Sequence, residues 1–174
     1  MFRALQYRNY RLFFIGQGVS LIGTWMQTIA MSWLVYRLTD SVFLLGMVNF
    51  ANQIPGFVFG PFAGVMSDKY NRLRIMKLTQ FLSMLQATTI AVLVLTDVVE
   101  IWHILALSFF LGTVNAYDVA ARQALVVDLV DRREDLSNAI ALNSSLFNAA
   151  RLIGPSIAGI IIALVGEGIC FAFN

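Results

Sequence analysis

Five long apolar runs set the limits on what this chain can become. They fall at 12–36, 42–66, 75–96, 104–121 and 139–165, between charged or turn-like breaks, and a sixth starts at 168 and stops at 174. A helix rises about 1.5 Å per residue and a bilayer core is about 30 Å thick, so a span needs roughly 20 apolar residues. The five runs meet or approach that length and the sixth does not. The first run follows Arg3, Arg8 and Arg11, which raises a signal peptide as an alternative. A signal core is about 7–15 residues long and closes at a small-x-small site. This run has no such site and continues through Trp25 and Trp33, so it reads as a retained span. With 59% apolar and 13% charged residues, the charges sitting almost wholly in the breaks, a disordered chain, a nucleic-acid module and an ordinary cytosolic enzyme are excluded. The expected class is all-α: a polytopic membrane bundle of five complete spans and the start of a sixth, one domain over 1–174. The last residue, Asn174, falls inside an element, as expected of a piece of a longer protein.

Charge sets the expected orientation. Ten of the twelve Lys and Arg residues occupy three segments that share one side: Arg3, Arg8 and Arg11; Lys69, Arg72, Arg74 and Lys77; Arg122, Arg132 and Arg133. The positive-inside rule places that side, and the N-terminus, in the cytoplasm. Arg37 alone lies on the other side, whose connections carry Asp40, Asp97, Glu100 and Glu167.

Polar residues recur inside the runs at helical spacing. Gln17, Ser20, Thr24 and Gln27 share a face of the first; Ser108, Gly112 and Asn115 stripe the fourth; Ser144, Asn148, Arg151 and Pro155 stripe the fifth. Such stripes serve either a wet pathway between helices or hydrogen-bonded helix packing. Three in one small chain favour a cavity, with Gln17, Thr24, Gln27, Asn115 and Asn148 as candidate lining residues. Arg151 falls near the middle of its run, where a charge costs at least about 2.5–3.5 kcal/mol on insertion scales. It therefore calls for a partner. Gly154-Pro155 with Gly159 in the fifth run echoes Gly60-Pro61 with Gly64 in the second. Small residues beside a helix-breaking Pro let another backbone approach closely. Two such stretches three runs apart suggest an inverted three-plus-three repeat, a transporter architecture.

Charge also gathers at the basic side. Asp68 ends a long apolar run, Arg72 follows one turn later, and Asp118 precedes Arg122 at the end of the fourth run. A linked Asp68–Arg72–Asp118 network is the expectation, against a set of independent membrane-edge charges. Catalysis lacks its parts. The one His, His103, sits at the outer edge of a run, Cys170 lies near the last residue, and no Gly-x-Ser-Gly is present. No phosphate-binding Gly-rich loop ending in Lys-Ser/Thr exists, so neither an enzyme nor a nucleotide-driven pump is expected.

The Gly64 to Arg74 stretch, with Asp68, Lys69 and Arg72, resembles the signature between the second and third helices of the major facilitator superfamily. Asn71 stands at the usual Gly of that signature and tolerates a left-handed turn better than most residues; Leu73 replaces a usual basic residue. Gly154-Pro155 with Gly159 is similar to the fifth-helix antiporter signature, Ala141 and Ala150 standing at its earlier glycines. Four further stretches resemble the bacterial drug and siderophore exporter branch: Phe2 to Leu5 with Tyr10 to Phe13, Trp33 to Thr39, Ala121 to Leu125, and Leu142 to Ser145.

The resemblance implies the N-terminal half of a twelve-helix secondary transporter in the bacterial inner membrane. Its partners would be the lipid bilayer, a small amphiphilic, drug-like or siderophore-like solute, and the missing C-terminal six-helix half, with no nucleic acid or nucleotide. It implies no cofactor, the proton gradient being the energy source for solute–proton antiport by rocking of the two halves. Helices one and four would line the cavity, two and five would face the other half, and Asp68, Arg72 and Asp118 would form a coupled cytoplasmic gate. A non-transporting half that needs a separate C-terminal partner is the alternative.

Overall fold

The computed structural model describes residues 3–130 and 132–172, the side chain of 133 excepted. Phe2 of the exporter-like stretch, the end of the sixth run at 173–174, and the Arg133 side chain lie outside the described residues. A short 3-10 turn, Arg3–Gln6, leads into α1 (Arg8–Thr39), α2 (Val42–Lys69), α3 (Arg72–Leu95), α4 (Ile101–Asp128), α5 (Arg133–Val165) and α6 (Glu167–Ala172). No strand occurs among the described residues.

The helices outrun the apolar runs. α1 begins at Arg8 rather than 12, α4 extends to Asp128 rather than 121, and α5 begins at Arg133 rather than 139. Hydrocarbon thickness limits the apolar stretch but not the helix, which continues through charged residues until a turn stops it. The turns are built locally. Ser41 accepts from the Leu44 amide at 3.4 Å to start α2, and Glu100 forms a capping box with His103, whose Nδ1 accepts from the Glu100 amide at 3.1 Å. The one His is thus a helix cap. Gly166, at φ 86°, supplies the positive backbone angle that lets the chain leave α5 and enter α6 at once.

Four helices, α2, α3, α4 and α5, are long and apolar enough to cross a membrane. α1, at 32 residues, has the length, but Gln17, Ser20, Thr24, Gln27, Thr28 and Ser32 dilute its apolar character, which departs from the five-span expectation. The bundle's outside is greasy: Phe57, Leu152 and Leu164 are more than 70% exposed. Large exposed apolar surface of this kind suits lipid rather than water.

Helix packing carries the internal repeat. α1 lies on α5 and α2 on α4; α3 lies on α4 and α6 on α1; α3 also meets α6. Exchanging helix one with four, two with five and three with six maps the first four of these pairs onto one another and the fifth onto itself. The two principal crossings depend on glycine. A Cβ on Gly112 in α4 would sit 2.8 Å from the Asn52 carbonyl carbon of α2. One on Gly154 in α5 would sit 2.5 Å from the Trp25 Cβ of α1.

Apolar clusters close the two ends. Leu34, Val35, Ile90, Ile104 and Phe171 are buried together at one end. Ala4, Tyr10, Val126, Val130 and Ala139 are buried at the other, the basic end. There the first turn is strapped to α5. The Ala4 amide donates to Asn138 Oδ1 at 3.1 Å, the Tyr7 hydroxyl to Asp135 at 2.9 Å, and the Tyr10 hydroxyl to the Ala139 carbonyl at 2.9 Å.

Candidate functional site

α1, α3 and α4 line an open cavity of about 380 Å³ whose wall mixes polar and apolar side chains. α1 contributes Ser20 and Thr24, α3 contributes Gln80 and Ser83, and α4 contributes Asn115, Asp118 and Arg122, with Phe81 and Met84 as its apolar part. The helical repeat explains the α4 set: Asn115, Asp118 and Arg122 are spaced three and four apart and share one face.

Asp118 is the centre of this wall. It is 3% exposed, accepts from the Thr79 hydroxyl at 2.8 Å and from Gln80 Nε2 at 3.5 Å, and pairs with Arg122 one turn along α4. A buried carboxylate is tolerated only when paired and hydrogen-bonded, and Asp118 has both kinds of partner. Ser20 of α1 donates to Gln80 of α3 at 3.4 Å, closing the wall from the other side. About two turns deeper, Gln27 donates to Gln86 Oε1 at 2.7 Å, both residues buried.

The linked Asp68–Arg72–Asp118 network is absent. Asp68 is exposed, one residue before the end of α2, and makes no ion pair or hydrogen bond among the described residues. Asp118 is ten residues before the end of α4, about 15 Å deeper along the axis. The expectation of equal depth assumed that α4 ended near 121. Arg72 instead reaches the true end of α4. It pairs with Asp128 at 2.5 Å, donates to the Ala124 carbonyl at 3.2 Å, and bonds the Ser67 carbonyl at 3.4 Å through Nε. Three helices therefore meet at Arg72, beside a second cleft of about 410 Å³ that Asp68 and Asn71 help to line.

Asn71 holds the turn by another route than expected. Its backbone is extended, at φ −64°, and its side chain accepts from the Arg74 amide at 3.1 Å, capping α3. Among the described residues other than glycine, Asp40 and Asp97 have left-handed backbone. Lys69 is the exposed last residue of α2. Gly64 faces open space, as do Gly60 and Gly159; only Gly154 of the two Gly-Pro stretches makes a close helix approach.

The α5 stripe does not join the cavity. Asn148 is exposed and donates back to the Ser144 carbonyl at 2.9 Å. Arg151 is exposed and lies over the Trp25 ring, 5.6 Å from its centroid. Pro155 is half-buried within α5. The α1 stripe splits: Thr24 faces the cavity, while Gln17 and Gln27 are buried.

A family model described as transmembrane secretion effector matches residues 1–174. The chain belongs to this family of major facilitator transporters. It is 28% identical over 169 residues to the staphyloferrin A transporter of Staphylococcus aureus, covering 92% of this chain and 42% of that protein. It is 24% identical over 160 residues to macrolide efflux protein A of Streptococcus pyogenes, covering 90% and 39%. It is 27% identical over 148 residues to the multidrug efflux pump Tap of Mycolicibacterium fortuitum, covering 83% and 36%. The chain thus spans about two fifths of the length of these relatives. No solved structure matches it.

In this major facilitator half, α3 takes as large a part in the wall as α1 and α4. Thr79 and Gln86, seven positions apart, share one face of α3, and Gln80 lies beside it. Asp128 lies beyond the apolar run at 104–121, so hydropathy alone does not place it on α4.

Proposed function

We propose that this chain forms the N-terminal half of a proton-driven exporter of a small amphiphilic solute, sited in the bacterial inner membrane with its N-terminus in the cytoplasm. A C-terminal six-helix half completes it, and no chemical transformation of the solute is involved. The observation that carries this reading is the largely buried Asp118–Arg122 pair on the wall of the cleft between α1, α3 and α4 of a greasy bundle. Structural polarity alone would be served by neutral hydrogen bonds. A paired acid and base beside a cavity can also exchange a proton.

In this mechanism Asp118, ionised, holds Arg122 against the wall of α4. A proton arriving at Asp118 removes the charge that retains Arg122 and weakens the bonds from Thr79 and Gln80. The α1–α3–α4 wall then relaxes, and solute and proton occupy the cavity alternately. Asp68 stands free at the rim because Arg72 is engaged with Asp128. That leaves its carboxylate available to the second half, where it holds the inward-closed state.

The test uses the full-length protein in everted membrane vesicles with an imposed pH gradient and a fluorescent cationic dye as the probe. Gradient-driven dye accumulation is expected, with loss on adding nigericin and loss in Asp118→Asn. Accumulation that persists unchanged without the gradient would overturn proton coupling.

A further inference from the structure

The proposed mechanism leaves Arg151 unused. Its guanidinium lies 5.6 Å over the Trp25 ring, and Trp25 meets Phe147 edge-on at 5.7 Å. It is exposed, and among the described residues it forms no ion pair. It lies 18 residues from the start of α5 and 14 from its end, about 27 Å and 21 Å along the axis. A guanidinium at that depth is too costly to face hydrocarbon and needs water, an anion or a ring face. Trp25 supplies a ring on one side only. The rest of the planar fork, which matches a carboxylate in a bidentate fashion, is open.

Gly154 brings α5 so close to α1 that a Cβ there would meet Trp25 Cβ at 2.5 Å, which holds the base of Trp25 against α5. Phe147 is one turn before Arg151 and closes the aromatic wall. Asn148, also exposed, adds an amide on the same helix. Cation and rings thus meet on the α1–α5 seam, on a face separate from the α1–α3–α4 cleft.

The geometry points to a solute subsite at Arg151, Trp25 and Phe147 that receives an anionic group, a carboxylate, next to an aromatic or apolar body. It rests on the transporter reading above and specifies the chemical class of the solute. Arg151 sets specificity and takes no part in the proton step at Asp118.

The test is equilibrium binding of radiolabelled naphthoate and its neutral amide, naphthamide, to the purified full-length protein. The wild type is expected to bind naphthoate at least tenfold more tightly than the amide. Arg151→Gln should erase that preference while leaving amide binding within twofold, which also reports that the protein is folded. Arg151→Lys should keep a several-fold preference. A wild type without preference would overturn the subsite. So would an Arg151→Gln variant that weakens both ligands equally, because Arg151 would then serve packing or an ion pair with the second half. Dye accumulation in vesicles separates the two proposals. A lost subsite with intact dye transport leaves the exporter reading standing, whereas absent dye transport in the wild type removes the reading on which the subsite rests.

Discussion

Gly112→Ala tests the central crossing of α2 and α4. The added methyl would stand 2.8 Å from the Asn52 carbonyl carbon and 3.1 Å from its Cα, and closer still to its oxygen. These are backbone atoms, so no side chain can swing away. Carbon contacts are comfortable at about 3.5–4.0 Å, so the helices must part by at least about 0.7 Å. Overpacking of this kind costs about 1–3 kcal/mol. The Asn52 amide bond to the Ser108 carbonyl, 3.2 Å across the same crossing, would stretch and lose about 0.5–1.5 kcal/mol. Ala gains about 1 kcal/mol over Gly in helix propensity. The net is a loss of about 2 kcal/mol, which lowers Tm by about 4–8 °C in a protein of this size class. The assay is thermal unfolding of the detergent-solubilised protein, with Gly60→Ala as control. Gly60 has nothing within 4 Å, so its Ala variant should melt at or slightly above the wild type. A Gly112→Ala protein as stable as Gly60→Ala would refute the close-crossing argument.

Further outcomes follow from the charges. Asp118→Asn should destabilise by about 3 kcal/mol, the cost of leaving a mostly buried partner charge unpaired, and Asp118→Asn with Arg122→Gln should recover part of that loss in the same melt. Asp128→Asn, whose carboxylate side chain is 51% exposed, should cost under about 1 kcal/mol and less at high salt. Asp68→Asn should leave the melting temperature unchanged and slow dye efflux in the full-length protein; undiminished efflux would remove its gating role. With buried Cys170 replaced by Ser, Lys69→Cys should react with an impermeant thiol reagent only from the cytoplasmic face and Val98→Cys only from the opposite face; labelling of both from one face would refute the orientation.

Helix number and order were legible because hydrocarbon demands long apolar stretches, and these are visible in one dimension. Helix ends were less so. Arg8, Asp128 and Arg133 lie in helices but outside the apolar runs, because backbone hydrogen bonding continues into the charged layer where hydropathy no longer reports it. The pairing of Asp118 with Arg122 could be read from spacing, since both lie on one helix. Arg72 with Asp128 could not, since 56 positions separate them and only the three-dimensional crossing of α3 and α4 brings them together. Asn115 and Thr24 were found by stripe analysis, whereas Gln80 needed the cavity itself. Asn148 and Arg151 belonged to a true stripe that faces away from that cavity, since periodicity assigns residues to a face without saying what the face meets.

The strap at the basic end also bears on how the protein is made. Ala4, Tyr7 and Tyr10 find their partners at Asn138, Asp135 and Ala139, 134, 128 and 129 positions later. At about 5–20 residues per second, synthesis leaves these tyrosines waiting for roughly 6–25 s before Asp135 and Ala139 exist. Ala4, Tyr7 and Tyr10 are thus seated only after 128 or more later residues have been made. A bulky fusion ahead of Arg3 would burden that late closure, whereas one placed elsewhere would spare it.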